Sequence, residues 1–109
     1  KDLKQSTRQR FLALDFSYPP SEVEARIVMR ESGVEPALAV KLVTIAEQSR
    51  LLVERGLEEG MSTRMLIHAG RLMRHGVEPV AACDLALVRP LVDDPDLLRA
   101  LVSMVDAHF

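Results

Sequence analysis

Gly33-Val34-Glu35-Pro36 recurs as Gly76-Val77-Glu78-Pro79, and the reading of these two tetrapeptides decides the fold. A glycine just past a helix takes the left-handed conformation that satisfies the last carbonyls. A proline opens the next helix, because its missing N–H and fixed φ cost nothing in a first turn. Each tetrapeptide thus predicts a helix, a tight corner and a second helix. The flanking segments share no further pattern, so the recurrence is turn chemistry and not a repeat architecture.

Working outward from these corners, everything from Pro20 onward reads as helix. Ser21 and Glu24 have capping-box spacing, and Val23, Ile27 and Val28 form the predicted apolar stripe of the first helix. The second helix starts at Pro36 and runs towards Gly56 with Leu38, Leu42, Ile45 and Leu52 inward. The third follows Gly60, with Met65, Leu66, Ala69, Leu72 and Met73 on one side. The fourth begins at Pro79, carries Val80, Ala81, Leu85 and Val88, and stops at Pro90. Asp94 caps the fifth, Pro95 opens it, and Leu97, Leu98, Leu101, Val102 and Val105 supply its inner face. The segment before Tyr18 differs. It reads as a short polar helix followed by one strand-like run, Phe11 to Phe16, which Tyr18-Pro19-Pro20 ends. One strand is not stable alone.

Composition bounds what such a chain does. Its 109 residues fit one domain, and 48% apolar with 28% charged residues is an ordinary globular mixture. A formal net charge of −2 argues against a dedicated nucleic-acid binder. The one cysteine, Cys83, excludes an internal disulfide framework and suits a reducing, cytoplasmic setting. No apolar run reaches the ~18 residues of a membrane span. The chain starts at Lys1 without Met and is expected to be part of a longer protein.

The candidate site is Gly60-Met61-Ser62-Thr63-Arg64. It puts Arg64 in the first turn of the third helix, where free N–H groups and the positive dipole end suit an anion. An arginine adds a fork of donors matched to phosphate oxygens. Arg64, His68, Arg71 and His75 form one polar stripe, which on spacing alone reads first as a solvated face. Ser62 and Thr63 are ordinary N-cap residues. Arg8 and Arg10 sit at the junction of the short helix and the strand, placed to project from an edge of the fold, though surface charge explains them as well. Metal binding has little support: Cys83 lacks a C-x-x-C partner and reads as a core hydrophobe, and Asp93, Asp94 and Asp96 read as helix capping. A G-x-x-x-x-G-K-[ST] phosphate loop is absent, so any ATP cradle is expected upstream of residue 1.

Four blocks in order carry a family resemblance: Lys4 to Phe11, Asp15 to Pro19, Glu58 to Arg64, and Leu91 to Asp96. Together they resemble the C-terminal part of the CbbQ/NirQ/NorQ proteins, AAA+ ATPases of the MoxR group. Met61 departs from a usually small residue and Ser17 from a common Asp. The resemblance implies a mainly α fold. Residues 1–18 would be the last helix and strand of an α/β nucleotide-binding core, and residues 19–109 a five-helix lid. It implies a sensor-2 role for Arg64, with Ser62 and Thr63 beside the nucleotide. It makes Arg8 and Arg10 the arginine-finger candidates acting on a neighbouring subunit, without choosing between them or saying whether Arg64 acts in cis or in trans.

The same resemblance implies ATP and Mg2+ for the whole protein, with none expected bound to this segment alone. It implies a hexameric ring, a partner with a von Willebrand factor A domain, and chaperone-like activation of Rubisco or nitric oxide reductase. The segment alone is expected not to hydrolyse ATP. Two other readings rest on the residues themselves. One is a small helical DNA-binding regulator with the third helix in the groove. The other is a helical protein-interaction module.

Overall fold

The computed structural model describes residues 18–109. They form a mainly α, five-helix bundle: α1 (Ser21–Ser32), α2 (Pro36–Leu51), α3 (Thr63–Arg74), α4 (Pro79–Cys83) and α5 (Pro95–His108). A 3-10 turn, Leu52–Arg55, prolongs α2, and a π turn, Asp84–Val88, prolongs α4. The expected short helix and strand, with Arg8 and Arg10, lie outside the described residues.

Both Gly-Val-Glu-Pro corners form as the sequence predicts. Gly33 (φ 86°) and Gly76 (φ 99°) are left-handed, and Pro36 and Pro79 each open a helix. Gly76 N–H bonds to the Met73 carbonyl at 3.0 Å and Val77 N–H to the Leu72 carbonyl at 2.9 Å, closing the end of α3. Ser62 caps α3 and Asp94 caps α5, accepting from Met65 N–H (3.2 Å) and Leu97 N–H (3.0 Å).

Helix α1 packs on α2 and α3, α3 packs on α4 and the π turn, and α5 packs on α2 and the π turn. The core where they meet includes Val28, Leu42, Ile45, Leu66, Leu87 and Leu101, all without exposed surface. Each such aliphatic side chain contributes about 1.5–3 kcal/mol on burial. Gly70 lets α3 approach α1 closely, since a Cβ there would lie 2.5 Å from Ser32 Oγ. Gln48 and Lys41 of α2 hold the far end of α5. His108 Nε2 lies 3.3 Å from Gln48 Oε1, and Lys41 Nζ sits 5.1 Å from the Phe109 ring centre. Among the described residues no helix is long and apolar enough to cross a membrane.

Two predicted faces differ, and in α5 Val102, expected inward, is exposed while Leu101 and Val105 are buried. In α1, Pro20 holds the cap position without a side-chain bond, so Ser21 and Glu24 form no capping box. Ser21 Oγ donates instead to the Glu47 carboxylate, and Glu24 turns into the core with Val28 and Ser32. Val23 and Ile27 consequently lie on the exposed side. In α4 and the π turn, Ala82, Cys83, Ala86, Leu87 and Val88 face inward, while Val80, Ala81 and Leu85 face out. The helix is apolar all round, so periodicity did not choose its face, and the wider π turn shifts the inward set along the chain.

Candidate functional site

The start of α3 is strapped onto the end of α2. Arg50 Nε donates to the Met61 carbonyl at 3.0 Å, and Met61 N–H donates to Ser49 Oγ at 3.0 Å. Ser49 in turn donates to the Ala46 carbonyl at 2.7 Å. Both sides of the Met61 backbone are thereby satisfied in a buried place where water does not reach. Gly60 is required by the same contact. A Cβ at this position would sit 2.6 Å from Arg50 Cγ and 2.9 Å from Arg50 Cα, closer than packed carbons come. The Met61 side chain itself is fully buried.

Beneath this strap lies a buried ionic cluster. Arg50 grips Glu24 with both ends of its guanidinium, Nη1 to Oε1 at 2.9 Å and Nη2 to Oε2 at 2.6 Å. Thr63 Oγ1 donates to the same Oε2 at 2.8 Å. One face of the guanidinium is covered by Tyr18, with Arg50 Cζ 3.4 Å from the ring centre. One arginine therefore ties together the approach to α1, the body of α1, the end of α2 and the first turn of α3.

The sequence-predicted site residues divide on this frame. Ser62 Oγ is committed to the cap and Thr63 Oγ1 to Glu24. Met65 and Leu66 N–H bond back to Ser62, at 3.2 Å each, while helix geometry gives Thr63 and Arg64 N–H no intrahelical acceptor. Arg64 is exposed, and its guanidinium makes no hydrogen bond or ion pair with any described residue. His68, one turn on, is likewise exposed and unpaired among the described residues. The rest of the stripe is engaged. Arg71 Nε donates to the Glu31 carbonyl at 3.3 Å, its Nη2 lies 3.9 Å from the Glu31 carboxylate, and His75 Nδ1 lies 2.8 Å from the Arg71 carbonyl.

The site thus holds one free guanidinium on a rigidly supported helix start, suited to an anionic oxygen presented from outside the chain. Its supports, Arg50, Glu24 and Tyr18, were not legible as a set. Glu24 has the spacing of a capping residue, and nothing local marks its partner Arg50. The signal available was Gly60, an apparently idle glycine before a cap. Cys83 is buried, and burial pushes its thiol up to about 12. Among the described residues no three His, Cys, Asp or Glu side chains gather as metal ligands.

A family model for the CbbQ/NirQ/NorQ C-terminal region matches residues 24–108. The chain belongs to the CbbQ/NirQ/NorQ family. It is 56% identical over 109 residues to Protein CbbQ of Hydrogenophilus thermoluteolus, covering all of this chain and 41% of that protein. It is 50% identical over 108 residues to the denitrification regulatory protein NirQ of Pseudomonas aeruginosa, covering 99% of this chain and 42% of the relative. To Protein NorQ of Paracoccus denitrificans it is 41% identical over 109 residues, covering all of this chain and 40% of the relative. The chain spans about two fifths of the length of these curated relatives.

Proposed function

We propose that the chain is the helical lid of an AAA+ ATPase of this family and that Arg64 is its sensor-2 arginine. The observation that carries the reading is the contrast at the start of α3. The Ser62 and Thr63 side chains beside Arg64 are fixed by internal partners, while the Arg64 guanidinium in the same turn is exposed and unpaired among the described residues. An unpaired guanidinium beside helix-start amides fits a phosphate oxygen of ATP.

In this reading Arg64 binds the γ-phosphate and loses that contact when the phosphate leaves. The Arg50–Glu24–Thr63 cluster would make the bundle follow Arg64 as one body, so the lid angle reports nucleotide state. Ser62 and Thr63 serve by fixing the helix start. Arg8 and Arg10 remain the finger candidates, and a finger supplied in trans is worth about 10³ or more in rate. The phosphate loop and the acidic residues that hold Mg2+ would belong to the part of the protein outside this chain. The assembled form would be a hexameric ring that works with a von Willebrand factor A partner.

The client is proposed from the relatives. A regulatory role in denitrification stands in the name of NirQ, so nitric oxide reductase is one proposed client, and Rubisco is the other, through the CbbQ branch. The DNA-reading alternative, which sets Ser62, Thr63, Arg64 and His68 towards the groove, draws less support, because Ser62 and Thr63 are committed within the bundle and the net charge is −2. ATP turnover by the full-length protein with Arg64→Ala tests the proposal. Wild-type turnover in that variant removes the sensor role. Turnover by residues 1–109 alone would show that the lid is not the dependent part proposed.

A further inference from the structure

The apolar residues that face outward on α4 and its π turn have a counterpart on α5. Val80 is 36% exposed, Leu85 55% and Val102 37%. Val80, Ala81, Val88, Val102 and Val105 line one cleft of about 260 Å³ between the two elements. Solvated helix faces ordinarily carry charged residues in such positions, so an aliphatic stripe kept in contact with water on two facing elements marks a surface meant to be covered. The π turn is part of this wall, and such turns are frequent at functional sites.

The charge of the cleft states the chemistry of its occupant. Its ionisable lining is all acidic, Glu78, Asp84 and Asp106, with no Lys, Arg or His. Asp84 is neutralised by Arg89, whose Nε lies 2.6 Å from Oδ2. Glu78 and Asp106 have no ion-pair partner among the described residues. The volume lies just below the roughly 300–1,000 Å³ of small-molecule pockets, which suits inserted aliphatic side chains better than a cofactor.

We propose that this cleft is a docking groove for a partner-protein segment that buries one or two aliphatic side chains there and flanks them with Lys or Arg. An acidic segment or a nucleic acid would set like charge against the unpaired carboxylates and lose association rate and affinity. No residue of α3 lines the groove, and the proposal stands whether or not Arg64 reads a nucleotide.

The test is fluorescence anisotropy of a short helical leucine–lysine peptide titrated with the intact protein, beside a leucine–glutamate peptide of the same pattern. The lysine peptide is expected to bind saturably and the glutamate peptide not. Doubly substituted Glu78→Lys/Asp106→Lys protein should bind the lysine peptide about tenfold or more weakly and accept the glutamate peptide. Val102→Thr, a mild change at an exposed position, should weaken the lysine peptide at unchanged thermal stability. Failure of the wild type to bind overturns the proposal, as does lysine-peptide affinity untouched by the charge reversal. A Val102→Thr variant that changes only the oligomeric state also overturns it, in favour of a second copy in the groove.

Discussion

Arg50 and Glu24 face each other through two parallel hydrogen bonds, 2.9 and 2.6 Å, across 26 residues of sequence. Glu24 has no exposed side-chain surface and Arg50 only 12%. Such a pair contributes little net over a hydrophobic replacement, yet breaking it from one side strands a charge in the interior. Arg50→Ala is expected to cost about 3–5 kcal/mol in urea unfolding. The double replacement Glu24→Leu with Arg50→Met should cost less than either single change. If Arg50→Ala unfolds at the wild-type midpoint, the cluster does not hold the bundle together.

Gly60 and Gly56 separate two reasons for a glycine. Gly56 has φ 115° and open space where a Cβ would stand, with nothing within 4 Å, so Gly56→Ala meets backbone strain alone, about 1–2 kcal/mol. Gly60 lacks a positive φ but lies against Arg50, so Gly60→Ala must push the strap off α2. A loss of roughly 1–3 kcal/mol is expected for it as well. The two differ in reach: only Gly60→Ala should displace Arg64, and so only it should depress ATP turnover beyond its effect on stability. Paired unfolding curves and turnover rates make the comparison.

Cys83 gives the bundle a pH dependence on the alkaline side. Burial raises its thiol from an ordinary 9.0 to about 12 in the folded chain. The folded state therefore keeps a proton that the unfolded state releases. Stability from this group is fully present below about pH 9 and falls as pH rises towards 12, by about 1.4 kcal/mol per unit. Cys83→Ala should flatten that slope, and a thiol reagent at pH 8 should label wild type only on unfolding. Rapid labelling of the folded chain would contradict the burial.

The corners and three of the helices were legible because their signals are local. Gly33, Gly76, Pro36, Pro79, Ser62 and Asp94 each act within one turn of chain, and the stripes of α2 and α3, and that of α5 apart from Val102, each point one way. The faces of α1 and α4 were not legible, since each depended on something distant. Glu24 goes inward because Arg50, far along the chain, is there to receive it. For α4, apolar on every side, the choice fell to packing on α3 and α5. The candidate site follows the same division. Arg64 at a helix start could be read from five residues, whereas the cluster beneath it is a product of the tertiary fold.

Arg64 supplies the prediction that separates function from stability most cleanly. It is exposed and unpaired among the described residues, so Arg64→Ala should unfold within about 0.5 kcal/mol of wild type. A charge-assisted bond to phosphate is worth about 1.5–3 kcal/mol, which corresponds to roughly a ten- to hundredfold fall in ATP turnover or nucleotide affinity in the full-length protein. Arg64→Lys keeps the charge and loses the fork, so it should fall between. Arg71, on the same stripe but paired at the surface with Glu31, is the control. Arg71→Ala should change stability by at most about 1 kcal/mol and leave turnover near wild type. Equal losses from Arg64→Ala and Arg71→Ala would mean that the stripe acts only as bulk positive charge, and the sensor assignment would fall.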